Sequence, residues 1–148
     1  METSVKNEIV IKQSPDIVYR CCTQVESWPQ VFPTCLAVKQ NAVGADAREV
    51  IMEMTVRNAF GTNTIRSHRH YTHERQHIQF KMITVPPQFA GMHGTWSVEP
   101  CEGGSRLVVI HTFEPAQPTA QAQEELGRNV YANTAQVLTH LKDWAERQ

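Results

Sequence analysis

Residues 61–77 read GTNTIRSHRHYTHERQH, and the fold of the whole chain turns on how this stretch is read. It carries four of the seven histidines and ends in His73-Glu74-Arg75-Gln76-His77, a His-Glu-x-x-His pattern. On an α-helix, positions i and i+4 share a face, so the pattern would hold zinc once a third ligand arrived from elsewhere. On a strand the same residues sort by parity. Ile65, Ser67, Arg69 and Tyr71 then fall on one face, and Thr64, Arg66, His68 and His70 on the other. Strand alternation precedes the motif, no helix cap opens it, and Ile78-Gln79-Phe80 resumes the alternation after it. The spacing therefore predicts two strands joined by a tight turn over His73–Gln76. Arg69 points inward, and His68 and His70 lie on the solvated face.

Working outward, more strands appear on both sides. Downstream, His77–Thr84 places Ile78, Phe80 and Met82 on one side, and Pro86, Pro87 and Gly91 bound a loop. Met92–Pro100 and Ser105–Glu114 then read as a hairpin about Cys101–Gly104. Upstream, Arg48–Arg57 sets Val50, Met52, Met54 and Val56 against Glu49, Glu53 and Arg57, with turn chemistry from Asn58 to Gly61. Thr34–Gln40 is a short strand and residues 3–12 a first one. Between these two, Ser14-Pro15-Asp16 supplies a capping hydroxyl, a first-position proline and a first-turn acid, and so opens a helix through Ile17, Val18, Cys21 and Cys22. Trp28-Pro29 and Phe32-Pro33 permit only a compact turn or a short second helix. From Thr119 the period becomes helical, with Leu126, Val130, Thr134, Val137, Leu141 and Trp144 at three- and four-residue steps. At about 1.5 Å per residue this helix is roughly 40 Å long. The layout is α+β: a curved antiparallel sheet of about seven strands wrapped around a long C-terminal helix, with one or two short helices after the first strand.

Composition narrows the function classes. The 148 residues suit one domain, 1–148, with a real core. A 41% hydrophobic and 20% charged composition argues against disorder. A net charge of −1 gives no field to attract nucleic acid or anionic lipid. The polar N-terminus lacks a signal-peptide layout, and no apolar run approaches the roughly 20 residues of a membrane span. A cytoplasmic address with reduced thiols is the expectation. Cys21, Cys22, Cys35 and Cys101 lack C-x-x-C spacing and read as small buried apolar residues.

The inward polar groups have two readings. An arginine on an apolar face is costly unless it is satisfied. Arg69 is therefore either scaffold, paired with Glu53 or Glu114, or a donor facing a cavity. His111 keeps phase with Leu107, Val109 and Phe113, as a satisfied core histidine or as a group that moves protons. Trp28, Trp96 and the methionines serve as core or as pocket wall, and Tyr19 packs or reaches the cavity.

Several anchors recur together: Ser14-Pro15-Asp16, Trp28-Pro29, Phe32-Pro33, the strand Asn63–Arg69, Gly94-x-Trp96, His111-Thr112-Phe113 and Arg128-Asn129. In this order they resemble the helix-grip (START-like) fold and, within it, the aromatase/cyclases of bacterial aromatic polyketide synthesis. The resemblance implies a poly-β-ketone, presented by an acyl carrier protein, bound inside the sheet. Aldol closure of its first ring and dehydration follow without a cofactor, alongside other polyketide synthase components. It implies catalytic roles for Arg69, His111 and Asn133, and substrate contacts from Trp28, Phe32, Met54, Ser67, Tyr71, Phe80, Met82 and Trp96. Val50 and Met52 would complete the wall; the residues themselves, not the resemblance, offer Arg57, Arg66 and His68 as candidates for a carrier-docking face. Three positions depart from the pattern: Ile65 replaces a tryptophan, Met82 a second arginine and Asn133 an aspartate found in some members. The same apolar cavity also suits a non-catalytic carrier of a quinone, lipid or other hydrophobic small molecule.

Overall fold

Seven antiparallel strands pair in the order β1-β7-β6-β5-β4-β3-β2 in the computed structural model, which describes residues 2–148. The strands are β1 (Thr3–Ile11), β2 (Cys35–Ala42), β3 (Glu49–Asn58), β4 (Gly61–Thr72), β5 (His77–Met82), β6 (Phe89–Cys101) and β7 (Gly104–Pro115). The helices are α1 (Pro15–Thr23), α2 (Trp28–Val31) and α3 (Ala120–Glu146). Strand β6 starts three residues earlier than its alternation suggests, because a register shift between Phe89 and Gly91 carries the pairing past the glycine. Strand β5 stops at Met82, where the Ile83 and Thr84 amides donate to the Arg66 carbonyl.

The His-Glu-x-x-His segment is a turn. His73–Arg75 forms one 3-10 turn, and Gln76 adopts φ 51° to reverse the chain. Its three candidate ligands leave in different directions. His73 Nδ1 lies 2.9 Å from the Tyr19 hydroxyl, Glu74 accepts from Arg48 at 2.8 Å, and His77 Nδ1 meets Ser97 Oγ at 2.7 Å. A helix would have stacked His73 and His77 on one face.

Helix α1 begins where the Ser14 hydroxyl accepts from the Ile17 amide, with Pro15 at its first position. In the same way the Thr119 hydroxyl accepts from the Ala122 amide and caps α3. The buried stripe of α3 is Leu126, Val130, Thr134, Leu138, Leu141 and Ala145. Leu138 and Ala145 thus take the core positions that spacing gives to Val137 and Trp144, which are only partly buried. The rotation turns Val137 toward the sheet's hollow.

The main core is built on Ile11, Val18, Cys22, Leu107, Val109, Leu138 and Leu141, and holds β1, β7, α1 and the second half of α3 together. A smaller cluster of Phe89, Phe113, Leu126 and Val130 anchors the first half of α3. Cys21, Cys22 and Cys35 are buried as expected, whereas Cys101 in the β6–β7 hairpin is only half-buried. Among the described residues no helix is long and apolar enough to cross a membrane.

Candidate functional site

One row across the sheet organises the site. Strand register sets Val50 opposite Arg69, Arg69 opposite Phe80, Phe80 opposite Gly94, and Gly94 opposite His111. Directly opposed residues of an antiparallel ladder share a face. Arg69, Phe80 and His111 therefore all project to the concave side, where a cavity of about 210 Å³ lies between the sheet and α3.

Arg69 is 2% exposed, and among the described residues no carboxylate is one of its hydrogen-bond partners. Its Nη1 donates to the Tyr71 hydroxyl at 3.2 Å, the Cys22 carbonyl at 3.5 Å and the Met52 sulfur at 3.8 Å. The guanidinium also lies 5.3 Å from the Trp28 ring centre and 5.4 Å from that of Tyr71. Glu53, one sequence candidate for its partner, pairs instead with Lys39 at 3.5 Å.

The end of α1 explains how this charge is tolerated. The last carbonyls of a helix have no partner inside it and carry the negative end of its dipole. Here Trp28 Nε1 donates to Cys21 O at 3.1 Å, Arg69 to Cys22 O, and Gln40 Nε2 to Thr23 O at 3.1 Å. Three consecutive terminal carbonyls of α1 are thus capped by side chains from α2, β4 and β2. Tyr71 ties them together, accepting from Arg69 and donating to Gln40 Oε1 at 2.7 Å. Burial pushes the Tyr71 phenol up while Arg69 pulls it down. It stays protonated and remains a donor.

His111 sits at the other end of the row. Burial pushes it down from 6.5 to about 4, so the ring is neutral at pH 7. Among the described residues Nδ1 is buried without a hydrogen-bond partner, and the ring lines the cavity. The Phe80 ring packs edge-on against the imidazole, 5.4 Å between centres. At ~4.8 Å per strand, the three steps from β4 to β7 separate the arginine and histidine backbones by roughly 14 Å along the sheet.

Of the residues expected around the site, Trp28, Phe32, Met52, Met54, Ser67, Phe80, Met82, Trp96 and Asn133 line this cavity with Arg69 and His111. Trp28 stacks on Trp96 at 6.4 Å and meets Phe32 edge-on at 5.3 Å. Tyr71 and Val50 do not line it. Tyr71 has the inward parity, but the end of α1 covers that part of β4, and it stands behind the arginine. Val50 is 5% exposed and belongs to the core. Tyr19 packs on His73, with ring centres 5.7 Å apart, and does not line the cavity either. His68 is a surface residue 3.4 Å from Glu49. Sequence reasoning missed Phe60, Phe89 and Met92, which line the end away from Arg69. They come from turns and strand starts, where parity gives no signal. Phe60 also lines an adjoining groove with Pro87, Gln117 and Asn129. Gln40 was missed because its role depends on the end of a helix distant in sequence.

The family described as "Polyketide cyclase / dehydrase and lipid transport" matches residues 2–146. The granaticin polyketide synthase bifunctional cyclase/dehydratase of Streptomyces virginiae is 30% identical over 127 residues, covering 85% of this chain and 41% of that protein. The chain thus spans under half the length of this curated relative. The Zhui aromatase/cyclase from Streptomyces sp. R1128 superposes with a TM-score of 0.88 at 21% identity, over 99% of this chain and 95% of that one. A START superfamily protein from Mycobacterium smegmatis does so with a TM-score of 0.85 at 15% identity, over 97% of each.

Proposed function

From the premise that this chain belongs to the polyketide cyclase/dehydrase and lipid transport family, we propose that it is an aromatase/cyclase. Its substrate is a poly-β-ketone tethered to an acyl carrier protein in the cytoplasm, and it closes and aromatises the first ring. One observation carries the reading. A buried guanidinium, held by neutral groups and a helix end, faces an otherwise largely apolar cavity together with a neutral histidine. A carrier of apolar ligands has no use for that charge, whose desolvation is unfavourable.

The chemistry uses what the residues offer. A methylene between two carbonyls gives its proton to His111 Nε2, and the enolate carbon attacks a carbonyl further along the chain. A carbon–carbon bond forms, and the new alkoxide takes the proton back from the imidazolium. Loss of an α-hydrogen with the new hydroxyl, as water, gives the double bond. Enolisation of the remaining ring carbonyls completes the aromatic ring. Arg69 stabilises negative charge on oxygen throughout, with fixed donors in a largely apolar cavity. Asn133 on α3 adds an amide from the opposite wall. The aromatic and methionine walls fold the flexible chain into a reactive shape. The tethered chain enters beside Phe60, the side on which the cavity adjoins the surface groove.

The test is reconstitution with a ketosynthase pair and a loaded carrier protein. Wild type is expected to shift product toward a single first-ring pattern, and Arg69→Ala to return it to the spontaneous mixture. A product profile that wild type leaves unchanged would overturn the proposal.

A further inference from the structure

Phe80 occupies the middle of the row that runs from Arg69 to His111, and its seat is unusual. A Cβ on Gly94 would stand 2.0 Å from the Ile110 carbonyl oxygen, 2.8 Å from Phe80 Cζ and 2.9 Å from Phe80 Cε1. The phenyl ring therefore lies on the bare backbone of β6, in space that any other residue at position 94 would fill. From there its edge reaches the His111 imidazole. The ring is only half-buried and lines the cavity, so a ligand meets it directly. Along the row the ring thus lies between the two polar groups that line the same cavity. At the Arg69 side, Trp28, Met52 and Ser67 stand close to the guanidinium or in neighbouring rows. At the His111 side, the walls are Met92 and the α3 residues.

We propose that Phe80, seated on Gly94, is a specificity-determining residue: it fixes which ketone of the chain lies at Arg69 when a methylene lies at His111. The inference rests on the cyclase reading and adds a cause for regiochemistry to it. A chain that touches both stations must pass over the ring edge. The length of that detour sets how many carbons separate the methylene that loses a proton from the carbonyl that receives the charge. Without the ring the two stations merge into one apolar trough, in which the chain can slide by a ketide unit and still present an oxygen to Arg69. Both reacting groups remain, so bond formation continues at a reduced rate while the register is lost.

The experiment is the same reconstitution with Phe80→Ala and Phe80→Leu beside wild type, scored by the ratio of first-ring isomers and by total cyclised product. Thermal melts confirm that each variant is folded. Phe80→Ala is expected to turn one dominant isomer into a mixture in which the minor ring pattern rises at least fivefold, while total cyclised product stays within about tenfold of wild type. Phe80→Leu, which keeps bulk at the same place, is expected to lie between the two and covers the case in which the alanine variant does not fold. If the folded variants give the wild-type isomer ratio, the role of Phe80 is overturned and the cyclase reading stands. That role is also overturned if cyclised product disappears altogether from folded protein, since Phe80 would then be needed for the reaction itself. If wild type redirects nothing, the functional reading fails and this inference fails with it.

Discussion

Replacing Arg69 with methionine separates the two readings of a buried arginine. If Arg69 were a scaffold residue paired with a buried carboxylate, removing it would strand that carboxylate, and breaking such a pair costs about 3–5 kcal/mol. Its recorded contacts lead to a different sum. Of the three hydrogen bonds from Nη1, only the one to Tyr71, at 3.2 Å, is near ordinary length. Two ring contacts contribute ~0.5–2 kcal/mol each, and the α1 terminus up to ~2 kcal/mol. Against these stands the desolvation of the ion, several kcal/mol. The terms largely cancel. Methionine retains most of the apolar stem and leaves Tyr71 its bond to Gln40 at 2.7 Å. The expected change is thus within about 1.5 kcal/mol of wild type, or up to about 5 °C in Tm for a domain of this size. Urea melts at pH 7 measure it. Cyclisation in the reconstituted system should meanwhile fall by ~10²–10³, as on loss of an oxyanion donor. A variant destabilised by more than about 3 kcal/mol that still directs cyclisation would refute the reasoning and make Arg69 a structural pin.

Three further predictions follow from particular contacts. His111 is held at about 4 in the folded protein, against 6.5 when unfolded. Between those values the unfolded chain binds a proton that the folded one does not. Stability is therefore full above pH 6.5 and is lost as pH falls toward 4, by roughly 3 kcal/mol; in His111→Phe, urea midpoints compared at pH 7 and pH 4.5 should show a flatter slope. Gly94→Ala drives a methyl into the Ile110 carbonyl and should destabilise by about 3 kcal/mol or more; an unchanged urea midpoint would contradict the seating of Phe80. Thr119→Ala removes the cap of α3 and should cost about 1 kcal/mol by chemical denaturation.

Much of the fold is legible because strand parity and helical period are set by local sequence. The alternation of Ile65, Ser67, Arg69 and Tyr71, the missing helix cap and the renewed alternation at Ile78-Gln79-Phe80 together read His-Glu-x-x-His as a turn, and the sheet took the expected order of elements. Parity states which face a residue occupies, but not what covers that face. Tyr71 and Val50 illustrate the limit: both point inward, yet one lies beneath the end of α1 and the other is packed into the core. Gln40 and the seat of Phe80 on Gly94 were illegible for a related reason. Each depends on residues brought together from distant strands at distances that spacing does not encode. The stripe of α3 was read with the right period, and its rotation was decided by which side chains β1 and β7 accommodate.

The counter-charge of Arg69 is the end of a helix, and a helix end cannot be protonated. A carboxylate partner would titrate in acid and change the arginine's surroundings as it did so. The α1 carbonyls and the neutral Gln40–Tyr71 pair present the same potential from acid to neutral pH. The groups in contact with the guanidinium therefore keep their charge state in acid, and carboxylates act there only at a distance, as Glu26 does through its charge at Tyr71. In this chain the direct contacts of the electrostatic half of the site do not titrate in acid, whereas the proton-handling half does.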